Sequence, residues 1–87
     1  MLLDNLNVTK ENFTKQSVIF NELGVKVYLK EFVSDELDGD YVIMDFYKRD
    51  NDGNFNAIEG EQDVEIYTNE TVDNFIRNIK GYANTII

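Results

Sequence analysis

Cysteine and histidine are both missing from this 87-residue chain, and so are proline and tryptophan. Without cysteine there is no disulfide, no thiolate ligand and no thiol nucleophile. Without histidine the commonest general base and the commonest transition-metal ligand are gone. Basic charge is scarce, with 8 Lys and Arg against 17 Asp and Glu. The five glycines stand apart at positions 24, 39, 53, 60 and 81, so no glycine-rich phosphate loop is present. No stretch approaches the roughly 18 apolar residues of a membrane span. The opening MLLDNLNV has neither the basic start nor the apolar run of a signal peptide. The expectation is a soluble cytoplasmic protein with no membrane partner.

What is present is enough for one small domain, residues 1–87. Hydrophobic residues make up 43% of the chain and 13% are aromatic, which is too apolar for disorder. The net charge of −9 is unevenly spread. Residues 1–30 and 74–87 are slightly basic, whereas residues 31–73 hold fourteen acids against Lys48 and Arg49. Such a block repels DNA, RNA and anionic lipid and attracts basic surfaces.

The hydrophobic spacing gives the elements. Residues 9–23, TKENFTKQSVIFNEL, place Phe13, Gln16, Phe20 and Leu23 on one helical face, with Thr9 or Asn7 to cap it and Gly24 to end it. The rival reading of this run is a strand over 14–20 joined to the next by the turn NELG. Residues 25–33 alternate as a strand, with Val25, Val27 and Leu29 on one side and Lys26, Tyr28 and Lys30 on the other. SDELDGD at 34–40 is a polar loop turning at Gly39. YVIMDFYK at 41–48 is apolar on both faces and hence central; FNAI at 55–58 is a short strand and VEIYT at 64–68 another. Residues 70–80, ETVDNFIRNIK, carry Val72, Phe75, Ile76 and Ile79 at helical spacing, capped by Thr68 or Asn69 and stopped by Gly81. The apolar tail YANTII then packs on the sheet or on a partner. The expected fold is α+β: a small antiparallel sheet of three to four strands, with an N-terminal helix or extra hairpin and a C-terminal amphipathic helix on one face.

Residues 48–61, KRDNDGNFNAIEGE, partly match a calcium-binding loop, with Asp50, Asp52, Asn56 and Glu59 at ligand positions and Gly53 at the turn. The first ligand position falls on Lys48, an ammonium, and the flanks alternate like strands. Asp-Gly between two β-like runs is a strong hairpin signal, and a hairpin is the expectation, with no metal and no cofactor. The carboxylates lie in loops, where solvated charge explains them, and a chain this small has little volume for a closed pocket. No catalytic residue, and no enzyme, is expected.

Tyr28, Tyr41, Tyr47 and Tyr67 on the strands invite base stacking, but there is no compensating basic groove, so direct nucleic-acid binding is not expected. Half-buried sheet residues or a protein-binding face account for them. The acidic block has two readings: a soluble surface, or carboxylates spaced densely enough to compete with nucleic acid for a Lys/Arg groove.

Two pieces, NDGN at 51–54 in a strand-joining turn and NETVDNFIRNIKGYAN at 69–84, resemble the small acidic anti-CRISPR proteins of phages and prophages of Gram-positive bacteria. The resemblance implies a short helix–sheet–helix fold, a bacterial host cytoplasm, and an acidic face that occupies the groove where Cas9 reads its duplex motif. It implies a non-enzymatic inhibitor whose partner is a nucleic-acid-binding protein, a CRISPR effector being the instance. The partner-binding residues would be Asp35, Glu36, Asp38, Asp40, Asp50, Asp52, Glu59, Glu61 and Asp63, with Tyr41 supplying desolvated contact area. The alternative expectation is a phage or mobile-element assembly module, self-associating through its sheet edge and the tail Ala83 to Ile87.

Overall fold

The computed structural model describes residues 8–37, 39–68 and 75–87. Five strands and one helix follow in the order β1 (Gln16–Phe20), β2 (Val25–Val33), β3 (Tyr41–Arg49), β4 (Phe55–Ala57), β5 (Val64–Tyr67) and α1 (Phe75–Ile86). The α+β class is as expected: all strands join one antiparallel sheet, and the helix covers one of its faces.

Residues 9–23 hold a single turn, the strand β1 and the start of the β1–β2 hairpin turn, not the N-terminal helix that is the first expectation. Thr9 and Asn12 exchange hydrogen bonds, and the Phe13 amide reaches the Thr9 carbonyl, but that is a single turn. β1 then pairs with β2, setting Val18 opposite Val27 and Phe20 opposite Val25. Val18 and Phe20 are buried while Ile19 is 47% exposed, a period-2 pattern. The β-branched pair Val18-Ile19, followed by the aromatic Phe20, favours this pairing over a helix. The NELG turn closes at Gly24 (φ 65°), whose amide donates to the Asn21 carbonyl.

β3 is central: β2 lies on one side, and β4 and β5 both pair with its other side. Ala57 opposes Tyr47 and Val64 opposes Met44, so β4 and β5 are two halves of one edge strand. Six residues, 58–63, bulge out where β3 advances only through Asp45 and Phe46. The bulge is pinned by hydrogen bonds from the Ile58 amide to the Phe46 carbonyl and from the Phe46 amide to the Glu61 carbonyl. Gln62 Nε2 adds a third bond to the Phe46 carbonyl at 2.9 Å.

The inner face of the sheet carries Val25, Val27, Leu29, Val42, Met44, Phe46 and Ile66, all buried. Phe75, Ile79 and Ala83, one turn apart along α1, close over it, and the Phe46 and Tyr82 rings meet at 5.2 Å. Each such buried side chain contributes about 1.5–3 kcal/mol of transfer free energy. The helix runs through Gly81 to Ile86, so the expected stop at Gly81 is wrong. Tyr82 and Ile86 of the tail pack against the core rather than standing free. The expected first turn and its Asn69 cap lie outside the described residues. Thr68 is buried, and its amide and hydroxyl both donate to the Asp40 carbonyl. Among the described residues no helix is long and apolar enough to cross a membrane.

Candidate protein-binding surface

The hairpin joining β3 to β4 is built by Asp50. Its Oδ1 accepts hydrogen bonds from the Asp52 and Asn54 amides, both at 2.9 Å, and its Oδ2 accepts one from Asn56 Nδ2 at 2.9 Å. The Asn56 amide first, and the backbone amides after it, hold the Asp50 carboxyl below the usual carboxylate range. Gly53 sits at φ 87°, the left-handed position that a type I turn with a bulge demands. The stretch that partly matched a calcium loop is thus a hairpin turn whose first carboxylate is occupied by donors of its own chain. Among the described residues no group of three or more carboxylates is placed to hold a metal ion.

The loop at 34–40 lies at the other end of β3. Asp35 Oδ1 accepts from the Leu37 amide at 2.8 Å, the Gly39 amide reaches the Asp35 carbonyl, and Gly39 takes φ 94°. Glu36 projects into solvent, and beside it Leu37 is 94% exposed. Asp38 lies outside the described residues. Asp40 is half-buried, its carbonyl engaged by Thr68.

Between these ends the bulge carries Glu59, Glu61 and Asp63. Glu59 is exposed. Glu61 Oε1 accepts the Tyr82 hydroxyl at 2.5 Å, so this acid braces the helix against the sheet edge. That hydrogen bond, with partial burial behind it, raises the Tyr82 hydroxyl above the ordinary phenol range. Asp63 stands at φ 57°, and its carboxylate pairs with Lys30, which also meets Asp45 at 3.2 Å. The paired carboxylates, Asp63 before Asp45, raise the Lys30 ammonium above its ordinary value.

The expected residues therefore form three groups along one edge of β3, not one cluster. At about 3.4 Å per residue, the two ends of this nine-residue strand lie about 27 Å apart. Asp50, Glu61 and Asp63 serve internal contacts, whereas Glu36, Asp52 and Glu59 are exposed and form no ion pair among the described residues. The cations gather elsewhere. Lys48 Nζ donates to the Leu23 carbonyl at 3.0 Å, Arg49 to Asn21 Oδ1 at 2.9 Å, and Lys80 pairs with Glu22, all at the β1–β2 turn.

Tyr41 opens a second surface. Its ring packs at 5.5 Å from that of Tyr67, directly across the β3–β5 ladder. Its hydroxyl is raised above the ordinary phenol range, first by burial, then by the negative fields of Glu65, Asp35 and Glu31. Sequence reasoning missed Glu31, Leu37 and Glu65 as surface residues of this end. Alternation along VEIYT already turns Glu65 outward with Tyr67, so that signal was available. Glu31 was hidden by a bulge between Leu29 and Glu31, which turns it outward opposite Ile43.

No protein-family model, curated protein or solved structure matches this chain.

Proposed function

We propose that this chain is a non-enzymatic inhibitor that binds the basic nucleic-acid site of a partner protein, using the β4–β5 edge of the sheet and the loops at its ends as a phosphate-like array. The observation that carries the reading is the segregation of charge. Asp35, Glu36, Asp40, Glu65, Asp63, Glu61, Glu59, Asp52 and Asp50 follow one edge, with Lys30 on Asp63, while Lys48, Arg49 and Lys80 turn toward Leu23, Asn21 and Glu22. One DNA strand sets a phosphate every ~3.4 Å, about eight over the length of β3, and the carboxylates of this edge other than Asp63, which Lys30 holds, supply comparable charge. The resemblance to anti-CRISPR proteins makes a CRISPR effector's duplex-reading groove one such site. Leu37 at the acidic tip adds an apolar anchor, and steering by the acidic edge makes association fast and salt-sensitive.

Immobilised protein is expected to retain nucleic-acid-binding proteins from a bacterial lysate and to release them to duplex DNA or moderate salt. D35N/E36Q/D38N/D40N and, separately, L37A should abolish or weaken retention without lowering the melting midpoint. Retention of no nucleic-acid-binding protein, or retention indifferent to competing DNA, ends the proposal. The assembly alternative loses the support of its tail, because Ala83 and Ile86 are spent on the core.

A further inference from the structure

We propose that the open face of the sheet pairs two copies of this chain face to face, about a two-fold axis lying across the strands at the level of Tyr28 and Asp45. α1 covers the inner face, and no described element lies over the outer one. That outer face carries Ile19, Tyr28, Val33, Tyr41, Ile43, Tyr47, Phe55 and Tyr67, with Ile19 47% and Tyr28 36% exposed. Its charges come closer to balance than those of the whole chain. Lys26, Lys30 and Arg49 share it with Glu31, Asp45 and Glu65 and with the Asp63 carboxylate that Lys30 holds, in a molecule of net charge −9. The balance is also polar in direction. Lys26 lies over the Tyr47 and Phe55 rings at 5.0 and 5.3 Å, and Arg49 over Phe55 at 5.1 Å, at one end. Glu31 and Glu65 stand beside Tyr41 and Tyr67 at the other.

The register makes this arrangement self-complementary. Tyr28 opposes Asp45; Lys26 opposes Tyr47, two residues along β3 to one side, and Glu31 opposes Ile43, two residues along β3 to the other, the bulge adding one residue on β2. A two-fold axis across the strands at Tyr28 keeps each strand over its own copy and exchanges the two sides. Lys26 of one copy then meets Glu31 of the second, and Tyr47 meets Ile43. Arg49, two residues further out, meets Tyr41, and Phe55 meets Tyr67. Cation meets carboxylate or ring, and ring meets ring. The carboxylates near the axis, Asp45 and Asp63 with their copies, share the Lys30 ammonium within each chain, which offsets part of their repulsion. Four strands at ~4.8 Å spacing and about 27 Å length give roughly 500 Å² of plane per copy, toward the lower end of specific interfaces. The dimer is therefore weak and is favoured at high concentration. A second copy fits this face better than a purely basic partner, which would meet Lys26 and Arg49 head on.

The test needs only the full chain and sedimentation velocity up to millimolar concentration. The wild-type chain should move from its 10.1 kDa monomer toward twice that mass as concentration rises. K26E sets carboxylate over carboxylate twice, and E31K sets ammonium over ammonium twice; each should weaken dimerisation by about tenfold or more. K26E/E31K restores opposite charges across the axis and should recover most of the wild-type affinity. The two positions lie five residues apart on one strand, about 17 Å, too far for contact within one chain to mimic that rescue. Circular dichroism and melting of each variant separate loss of pairing from loss of fold. A strict wild-type monomer at millimolar concentration, or a double variant no better than the singles, overturns the proposal. So does an E31K chain that stays as dimeric as wild type. Glu65 and the Asp63 carboxylate belong to both surfaces, but Lys26 and Glu31 belong only to this one, so K26E and E31K test the pairing apart from capture of a basic partner.

Discussion

Asp50 concentrates in one side chain the difference between a motif and a structure. Its spacing from Asp52, Asn56 and Glu59 resembles a ligand set, yet its oxygens are spent on the Asp52 and Asn54 amides and the Asn56 side chain. Because the fold lowers its pKa, its contribution to stability is present above the unfolded carboxylate value of about 3.9 and is lost as pH falls through the lower folded value. The Asp52 and Asn54 amides should therefore lose protection from hydrogen exchange below about pH 4, and D50A should show the same loss at neutral pH. Unchanged protection in D50A would mean that the turn holds without its carboxylate. Gly53 supplies the other half of the turn. A Cβ there meets no atom within 4 Å, so G53A is strained through its φ of +87° alone. The expected cost is about 1–2 kcal/mol. Thermal melting should register it as a midpoint lower by roughly 4–16 °C.

At the scale of elements, legibility followed the locality of the cause. β2 and β3 were readable because Val25, Val27 and Leu29, and Val42, Met44 and Phe46, alternate with polar or half-buried partners. β1 was ambiguous because Phe13, Gln16 and Phe20 satisfy a helical period while Val18 and Phe20 satisfy a strand period. Pairing with β2, a contact outside the segment, decided it. The union of β4 and β5 into one broken edge strand depends on bonds from Phe46 to residues 58 and 61, and no local pattern reports those. The three acidic groups were legible as residues but not as a line, since only the antiparallel return of the chain along β3 sets them in a row. Gly81 was misread because apolar packing of Ala83 and Ile86 carries the helix past it. That correction is testable in its sign. A helix-ending glycine in a left-handed conformation resists alanine, whereas an interior helical glycine welcomes it. A Cβ on Gly81 meets no atom within 4 Å. G81A should thus stabilise the chain by about 0.5–1 kcal/mol. I79A, which empties the centre of the helix–sheet contact, should cost about 2–5 kcal/mol. A lower melting point in G81A would show that the helix does end there.

The whole molecule bears a cost that its core did not require. Its charge of −9 is spread over 42 × 24 × 22 Å, with acids of like sign following one edge. Neighbouring carboxylates at strand and loop spacing lie within the Debye length of about 10 Å at 0.1 M salt and are well screened at 1 M, where it is about 3 Å. Of the opposing attractions, Lys30 with Asp63 and Lys80 with Glu22 engage largely exposed carboxylates, and such pairs contribute little and are screened as well; Lys30 with Asp45 is the one part-buried pair among the described residues. Repulsion should win. Raising NaCl from about 0.05 to 1 M should lift the melting midpoint by several degrees, on the order of 1 kcal/mol for a domain of this size. E36Q/E59Q/E65Q, which removes three exposed carboxylates from the edge, should melt higher than wild type in low salt and respond less to added NaCl. A wild-type midpoint that falls with salt would mean the ion pairs dominate, and the acids would then need no external partner to explain them. A midpoint that rises, with the neutralised edge more stable yet unable to hold a basic partner, would show carboxylates kept at the expense of stability. That is the pattern expected of residues retained for binding rather than for the fold.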